Sequence, residues 1–498
     1  MGRPFVTLLL LAASALPAPA AAIRGVAIEK RTGYRLSRVI LTLEPIPLAG
    51  QQVRSFRTGE NGQFTFNELP GGAYLLRATR RGFMPVQYGQ KRWDSAGTPI
   101  IITGDEVISL SLMLSRYGAI AGTVRDSNEV GIPDQDVAAY SNTQPPHFVA
   151  RGKSDERGVF RIAGLEPGTY LVRTIGNNDE DLSYLPTFSR QTLRVEEARP
   201  LAVYAEEDTP DGDVRPIQGR LYDLTGFIPL PAPPNFAVTV TLASDLGRIT
   251  STGPAFRFPA LAPGHYELYA EARENSPGTR AVGGYADLLI ERNISNYVLP
   301  MTEVRESQFV LEGGGPNVSA TALLRRKDYA GTGAAQTLRL SAITNAVLFP
   351  GRWEIQIAAP PGFFVSHFGG PRNNTARPEG WNELQVFAGA RSSVTLSSGP
   401  GAIHGTVRNA NAAAGGAPVF LETWDPVTRN RLVDLRETRS DMAGNYRFDG
   451  LAPGDYRILS TFDYAAPGPP TFDYAGARGV RIEKSTDPQL DLDLWGSP

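Results

Sequence analysis

The chain has 498 residues, a formal net charge of −2 and a sequence pI near 6.2, which excludes the basic footprint of a nucleic-acid-binding protein. It contains no cysteine, so disulfides, thiol chemistry and cysteine metal ligands are excluded together. Glycine accounts for 52 residues and proline for 40, an excess that predicts many turns in a globular chain.

The first 22 residues predict a secretory signal peptide. Arg3 supplies a cation, an apolar run extends from Phe5 to Leu16, and small residues continue to Ala22. This order predicts cleavage after Ala20 or Ala22. An uncleaved anchor is the alternative, although the run is short for a bilayer. No later segment is apolar enough to span. The mature chain is therefore predicted to have no transmembrane span and to lie in the periplasm, in the outer envelope or outside the cell.

Four segments after the leader open with a short alternating run that contains one glycine. Alternation with β-branched residues predicts a half-buried strand. The four runs lie at residues 23–26, 120–124, 217–221 and 403–407. A turn, a second strand and a glycine-containing hairpin signal follow, so each run is predicted to be the first strand of a repeated unit.

The most recurrent motif comes after the hairpin. It consists of two apolar residues at i and i+2, a leucine, a turn that usually contains Pro-Gly, and an aromatic residue. The tyrosines at positions 74, 170 and 266 are 96 residues apart, and the motif predicts a tyrosine corner, in which a buried ring bonds back to the preceding connection. A degenerate copy has tryptophan in place of tyrosine. The predicted structural corner residues are Tyr74, Tyr170, Tyr266, Trp353 and Tyr456.

A period near 95 residues suits one small all-β domain, and about seven short strands in each period predict a β-sandwich. We therefore predict an all-β chain of about five tandem seven-stranded Greek-key β-sandwich domains that form an elongated array. The predicted divisions are a signal peptide at 1–22 and sandwiches at 23–115 (repeat 1), 116–208 (repeat 2), 209–302 (repeat 3), 303–399 (repeat 4, degenerate) and 400–498 (repeat 5). The acidic, turn-rich segment 206–213 is the candidate hinge.

The order of a Gly-x-Val strand, an Asp-x-x-Gly turn, an Asp-x-x-Gly-x-Phe hairpin and a Leu-x-Pro-Gly-x-Tyr corner resembles the carboxypeptidase regulatory-like domain, a transthyretin-like or prealbumin-like β-sandwich. It is also close to the collagen-adhesin B-type repeats of bacterial surface proteins. Repeat 2 matches best, at residues 122–126, 155–160 and 165–170. The resemblance implies fold and location more than activity, because in metallocarboxypeptidases this domain is a non-catalytic appendage and the zinc-binding domain is a separate segment.

The resemblance does not extend to self-crosslinking. Adhesin B-type repeats often close an internal amide that needs a lysine on the first strand, and the first strands of repeats 2, 3 and 5 carry none. Lys30 alone lies near a first strand.

No pattern of catalytic or metal-ligating residues emerges from the sequence. The histidines, at positions 147, 265, 367 and 404, form no zinc-binding pattern, and there is no Gly-x-Ser-x-Gly nucleophile elbow or phosphate-binding glycine loop. Calcium binding is a weaker alternative. Its oxygen ligands would come from one loop, either Asp126, Asn128, Asp134 and Asp136 or residues 177–181. An ordinary hairpin or solvated loop is favoured over a metal site. No catalytic, cofactor-binding or metal-binding residue and no cofactor is predicted.

Carbohydrate binding is the best-motivated specific activity. Tyr88 and Trp93 lie in a glycine-rich loop at 82–93, where exposed rings could contact a sugar. The alternative is that both rings pack under their own loop.

We therefore predict a non-enzymatic, exported multi-domain protein that serves as a cell-envelope stalk, adhesin or binding module. A carbohydrate-binding protein of starch-binding-like fold is the alternative. An accessory component of a carboxypeptidase or outer-membrane receptor system is a more distant one. The predicted partners are polysaccharide or another envelope protein, with no nucleic acid, and the chain is predicted to be a monomer.

Overall fold

The computed structural model describes residues 21–46, 52–143, 145–178, 183–230, 236–275, 280–370, 373–374, 380–387 and 389–496. Strands are the main secondary structure in these ranges and helix is scarce, so the prediction of an all-β chain of tandem β-sandwiches is confirmed. Two compact units make up the chain, the first ending at Leu114 and the second beginning at Ser115. The predicted signal peptide lies outside the described residues except for Ala21 and Ala22.

The first unit contains repeat 1, a sandwich of two sheets. One sheet has the strand order β4-β1-β8 and the other β3-β2-β5-β6, with β7 also on β5. Alternating apolar residues such as Ile23, Phe64, Phe66 and Leu76 point inward from both sheets and form one core. The strands are β1 (Ala21–Glu29), β2 (Ile40–Ile46), β3 (Arg54–Arg57), β4 (Gln63–Leu69), β5 (Gly72–Thr79), β6 (Val86–Gln87), β7 (Ile100–Ile102) and β8 (Val107–Leu114).

The second unit begins with repeat 2. Its sheets have the orders β12-β9-β17 and β11-β10-β13-β16, and β14 pairs with β15. Ile120, Phe160 and Val172 belong to the core between the two larger sheets. The elements are β9 (Gly118–Thr123), β10 (Asp136–Ser141), β11 (Phe148–Lys153), β12 (Val159–Leu165), β13 (Gly168–Thr174), β14 (Asn177–Asn178), β15 (Ser183–Tyr184), a 3₁₀ helix (Val195–Glu197), β16 (Leu201–Val203) and β17 (Asp208–Thr209).

Repeat 3 has sheets of order β21-β18-β24 and β20-β19-β22-β23-β25. Leu224, Phe258 and Leu268 are fully buried in its core. The strands are β18 (Tyr222–Phe227), β19 (Phe236–Ser244), β20 (Gly247–Thr252), β21 (Ala255–Leu261), β22 (Gly264–Glu274), β23 (Ala281–Ile290), β24 (Ile294–Val298) and β25 (Thr302–Glu303).

Repeat 4 has sheets of order β30-β26-β35-β32-β33 and β28-β27-β31-β34, with β29 also on β27. Phe309, Ile355 and Phe368 lie in its core together with Trp353. The strands are β26 (Glu306–Glu312), β27 (Ala320–Asp328), β28 (Gly331–Thr332), β29 (Gln336–Leu340), β30 (Ile343–Val347), β31 (Gly351–Ala358), β32 (Phe363–Gly370), β33 (Asn373–Asn374), β34 (Asn382–Val386) and β35 (Arg391–Ser398).

Repeat 5 has sheets of order β37-β36-β41, with β44 also on β36, and β39-β38-β42-β43, with β40 also on β38. Ile403, Phe448 and Ile458 lie in its core. The elements are β36 (Gly401–Asn409), β37 (Ala412–Ala413), β38 (Pro418–Asp425), β39 (Asn430–Arg431), β40 (Arg436–Arg439), β41 (Asn445–Leu451), β42 (Gly454–Ser460), α1 (Pro469–Tyr474), β43 (Arg478–Ile482) and β44 (Leu492–Asp493).

The first strand of every repeat pairs on both sides. It is antiparallel to the strand that precedes the corner and parallel to the closing strand of the same repeat. The parallel pairs are β1 with β8, β9 with β17, β18 with β24, β26 with β35 and β36 with β44. Each repeat thus joins its beginning to its end within one sheet, which makes it a closed folding unit.

The predicted first strand of repeat 3, at residues 217–221, is wrong. The strand is β18, and its glycine is Gly226 rather than Gly219. A Cβ on Gly226 would lie 2.2 Å from the Tyr297 carbonyl oxygen of β24 and 2.5 Å from the Phe256 ring, so only glycine fits there. Segment 217–219 instead pairs with residues 183–185 of repeat 2.

The candidate hinge at 206–213 is also wrong, because this segment contains β17, the closing strand of repeat 2, and is hydrogen-bonded to β9 and to Thr123. Asp208 and Thr209 pair in parallel with β9. Asp213 Oδ1 accepts hydrogen bonds from Thr123 N and from Thr123 Oγ1, both at 2.7 Å. In repeat 5, Asp491 accepts the same two bonds from Thr406. Asp213 and Asp491 therefore hydrogen-bond the closing segment of their repeats to the first strand.

Candidate functional site

The five predicted corner residues each make the same type of hydrogen bond. Each of the four tyrosines donates a hydroxyl hydrogen bond to the carbonyl oxygen four residues earlier, at 2.7–2.9 Å. Trp353 Nε1 donates to Phe349 O at 2.9 Å in the same way. Burial raises the pKa of the Tyr74 and Tyr170 hydroxyls and raises that of Tyr266 to about 12. These hydroxyls are thus neutral donors engaged in the backbone.

The two aromatic residues predicted to contact sugar do not form a common platform. Tyr88 is partly buried and packs against the core of repeat 1, whereas Trp93 is 45% exposed. The neighbouring amides hold the loop together: Gly97 N donates to Gln87 Oε1 at 2.8 Å, and Gln90 Nε2 donates to Trp93 O at 2.6 Å. A sugar at this loop would contact one exposed ring.

The residues considered as calcium ligands in repeat 2 are engaged in turns and ion pairs. Asp126 Oδ1 accepts hydrogen bonds from Asn128 N at 2.8 Å and Val130 N at 2.9 Å. Asp134 pairs with Lys153 at 2.9 Å. The second candidate, 177–181, lies partly outside the described residues. Among the residues that the structure describes, no group of three or more His, Cys, Asp or Glu side chains could hold a metal ion.

A cluster of buried charged and aromatic side chains lies where repeats 3 and 4 meet. We call it the 3–4 junction. It comprises Arg248, Glu267, Tyr269, Glu271 and Tyr285 of repeat 3 with Arg326, Asp328, Tyr329, Phe349 and Arg352 of repeat 4.

Asp328 is almost inaccessible to solvent, and its carboxylate is saturated with donors. Arg248 donates to it twice, from Nε to Oδ2 at 2.6 Å and from Nη2 to Oδ1 at 2.8 Å. Tyr269 donates its hydroxyl to Oδ2 at 3.0 Å, and Ala330 N donates to Oδ1 at 2.9 Å. Burial raises the pKa of Tyr269 to about 12, and the Asp328 charge adds to that rise. Four donors on two oxygens leave this carboxylate no free acceptor position.

Glu267 is the counterpart of Asp328 on repeat 3, and its side chain is also buried. Its carboxylate accepts hydrogen bonds from Arg352 Nη2 at 2.5 Å, from the Tyr285 hydroxyl at 3.0 Å and from Tyr329 N at 3.2 Å. Burial, followed by the charge of Glu267, raises the pKa of the Tyr285 hydroxyl. Each repeat therefore supplies a buried carboxylate to an arginine of the other.

Arg326 fills the centre of the junction. Its guanidinium lies 3.7 Å from the centroid of the Tyr269 ring and donates to Glu271 Oε1 at 3.0 Å and to Pro350 O at 2.7 Å. The contacts are planar and charge-assisted, which suits arginine rather than lysine. A Cβ on Gly283 would lie 2.4 Å from the ring Cδ of Pro350, so a side chain of repeat 4 packs directly on the backbone of β23.

Sequence reasoning missed this junction. Glu267, Tyr269 and Glu271 alternate with core residues of β22, and in an isolated sandwich that face would be exposed to water. Two features of the sequence could have indicated the junction. One is Tyr269 between the charged residues Glu267 and Glu271, and the other is the charged run from Arg325 to Asp328 at the end of β27.

A second buried ion network lies on the outer face of repeat 5. Glu422 is fully buried and accepts hydrogen bonds from Arg431 Nε at 2.7 Å and Arg457 Nε at 2.6 Å. The Arg457 guanidinium stacks 3.4 Å from the Trp424 ring centroid and donates to Asp473 of α1 at 2.5 Å. This network fixes α1 on the sheet.

A cleft of about 950 Å³ lies between repeats 4 and 5. One wall is apolar and includes Pro360 and Phe363, while the other carries charged side chains. Arg447 donates to Asp449 at 2.7 Å and to Asp487 at 2.9 Å. With Asp434 and Arg436, the lining carries three carboxylates and two guanidinium groups, a formal charge of −1.

The comparisons with known proteins give fold similarity alone. No family model matches the chain, and no curated protein matches it. Similar solved structures include the minor pilin GBS52 of Streptococcus agalactiae, at 15% identity over 43% of this chain and 99% of the pilin, with a TM-score of 0.27. The shaft pilin SpaA of Lactobacillus rhamnosus GG is 10% identical over 40% of this chain and 98% of its own, with a TM-score of 0.24.

The major pilin subunit BcpA of Bacillus cereus matches 76% of this chain and 99% of its own at 10% identity and a TM-score of 0.15. Similarity at this level carries no inference about activity or partners. In the described part of the chain, no helix is both long and apolar enough to cross a membrane.

Proposed function

We propose that this chain is a non-enzymatic, exported multi-domain protein that serves as a stalk in the cell envelope. The observation that carries the proposal is the 3–4 junction, where Glu267 and Asp328 are buried and paired across the two repeats. Burying charges costs several kcal/mol for each ion unless the geometry is good and the hydrogen bonds are complete. Domains joined by flexible linkers do not need buried ion pairs between them. A spacer that holds its domains at a fixed angle does need such contacts.

The state of the buried carboxylates supports a structural role. A general acid or base must have a position where a proton can arrive from substrate or leave to it. Asp328 has four donors on its two oxygens, and Glu267 has three. These donors occupy all four acceptor positions of Asp328 and three of the four on Glu267, so Asp328 has no position left for a reacting proton.

Distance measurements between spin labels test whether repeats 3 and 4 keep a fixed orientation. The chain has no cysteine, so two introduced cysteines are the only labelling sites. Val298 of repeat 3 and Ile343 of repeat 4 are exposed positions suited to labels. We expect a single narrow distance distribution, as narrow as that of a control pair within repeat 3 at the exposed positions Phe227 and Leu289.

A broad or bimodal distribution for the Val298 and Ile343 pair, beside a narrow one for the control pair, would show that the repeats move independently. The stalk proposal would then lose its main support.

Export is part of the proposal, and we infer that the leader is removed after Ala20. Residues 18–20 have the Ala-x-Ala form of a cleavage site. Ala21 and Ala22 are each 2% exposed within β1, and Ala22 N donates to Glu106 O at 3.0 Å. Cleavage after Ala22 would remove two buried strand residues.

Amino-terminal sequencing of the protein recovered from outside the cytoplasm is therefore expected to begin at Ala21. A start at Ile23 or Met1 in that fraction would contradict the inferred cleavage position. Recovery in the cytoplasm alone would contradict export itself.

A further inference from the structure

Repeat 5 contains the pentapeptide Thr-Phe-Asp-Tyr-Ala twice, at residues 461–465 and 471–475. The first copy follows β42 and the second lies largely in α1. The phenylalanine of each copy turns inward, Phe462 against the core of the sandwich and Phe472 into the cluster under α1. This duplication brings the two tyrosines that follow, Tyr464 and Tyr474, to one place on the surface.

Both tyrosines contact Trp495, and we call these three residues the aromatic triad. The Tyr464 and Trp495 rings have centroids 6.2 Å apart and are nearly parallel, at 18°. The Tyr474 and Trp495 rings are 5.7 Å apart and nearly perpendicular, at 86°. Tyr474 is 71% exposed, and the other two rings are partly exposed. The triad therefore presents two ring planes that meet at a right angle.

The triad is held by rigid parts of repeat 5. Trp495 N donates to Ser460 O at 2.9 Å, and Leu494 N donates to Arg408 O at 2.7 Å, so the segment after β44 is fixed to its neighbours. On the other side, Asp473 is bound by Arg457, whose guanidinium is stacked on Trp424. Rings fixed in advance lose little conformational entropy when a ligand binds.

The segment that carries Tyr474 also carries a charged pair, because Asp473 directly precedes Tyr474 in α1. The Asp473 carboxylate is about half exposed, and Arg429 Nη2 lies 3.6 Å from its Oδ1. This pair and the Tyr474 hydroxyl supply hydrogen-bond donors and acceptors on the same surface segment as one ring of the triad. That combination fits a ligand with an apolar face and a polar edge.

We propose that the aromatic triad is a binding site for a neutral saccharide. The C–H face of a sugar ring would lie on an exposed face of Trp495 or Tyr474, and its hydroxyls would bond to Asp473 and Arg429. Size favours a sugar over a protein partner. Fully exposed aromatic rings offer about 150–250 Å² each, and these three cover one another in part. The triad thus falls short of the roughly 800 Å² that each partner buries in a stable protein interface.

Affinity gel electrophoresis of the full chain tests the site. The gels contain amylose, xylan, a β-1,3-glucan or galactomannan. We expect retardation by at least one polysaccharide, and we expect Tyr474→Ala and Trp495→Ala each to weaken it about tenfold, the factor that corresponds to about 1.4 kcal/mol. The matched control is Tyr204→Ala, which removes a 61% exposed tyrosine from repeat 2 and is expected to leave retardation unchanged. The ring of Tyr474 is mostly in solvent, so Tyr474→Ala is expected to keep its fold, which circular dichroism checks.

Three results would overturn the proposal. One is the absence of retardation in all four gels. Another is equal retardation of folded Tyr474→Ala and the unaltered chain. The third is retardation that disappears in Trp93→Ala and persists in Trp495→Ala, because the site would then lie in repeat 1. Self-association that Tyr474→Ala abolishes, without retardation in any gel, would assign the triad to a protein contact instead. The spin-label distances between repeats 3 and 4 do not depend on any of these outcomes, so this site and the stalk proposal fail separately.

Discussion

Replacing Arg248 with alanine is expected to destabilise the joined repeats 3 and 4 by about 3 kcal/mol. The substitution leaves the Asp328 carboxylate buried with the Tyr269 hydroxyl and one backbone amide as its remaining donors. An uncompensated buried charge is costly because it has lost its hydration and gains no counterion. In differential scanning calorimetry we expect the coupled unfolding of repeats 3 and 4 to move to lower temperature or to separate into two transitions.

The matched control is Arg280→Ala, in the same repeat. Arg280 Nε lies 3.1 Å from Glu303 Oε1, and both side chains are about half exposed, so the pair is worth less than about 1 kcal/mol. The double variant Arg248→Ala/Asp328→Asn removes the buried charge as well and is expected to lose less than the sum of its single changes. Equal losses for Arg248→Ala and Arg280→Ala would show that the junction does not couple the two repeats.

Replacing Tyr170 with alanine is expected to destabilise repeat 2 by about 3 kcal/mol. The change removes a buried ring from the core and the hydroxyl that donates to Glu166 O at 2.8 Å. That loss is a large fraction of the stability of one small domain. We expect limited proteolysis to cut repeat 2 of the variant before the other repeats, and hydrogen exchange to accelerate there first.

Tyr170→Phe separates the two contributions. It keeps the ring and removes the hydroxyl, so it is expected to cost about 1 kcal/mol. Tyr204→Ala, in the same repeat, serves as the exposed control and is expected to change stability by less than about 0.5 kcal/mol. If repeat 2 of Tyr170→Ala resisted protease as well as its neighbours do, the structural role assigned to the corner would be contradicted.

The all-β class and the tandem organisation follow from the sequence because their signals are local. Strand alternation, the glycine hairpins and the corner motif each lie within about a dozen consecutive residues. The corner bond joins residues four apart, as between Tyr74 and Pro70, so its geometry depends on one short turn. Repetition of that turn near every 95 residues then divides the chain.

The position of the first strand in repeat 3 depended on the tertiary structure. Gly219 and Gly226 both occur in short alternating runs, and the sequence offers no local reason to prefer the second. Gly226 belongs in the strand because Tyr297, which is distant in sequence, passes against it in β24. In the same way, residues 208–209 of the turn-rich segment 206–213 form a strand because β9 offers them a partner.

The charged junction and the aromatic triad also depended on the tertiary structure. Glu267 lies on a sheet face that would be exposed to solvent in an isolated sandwich, and it is buried because repeat 4 covers it. Tyr464 meets Trp495 because the last segment of the chain returns to β42. A hydrogen bond within a turn is encoded by the residues of that turn, so the sequence alone determined the repeats. Burial on an outer face depends on which distant surface comes to cover it, so the sites between and beside the repeats were decided by the tertiary structure.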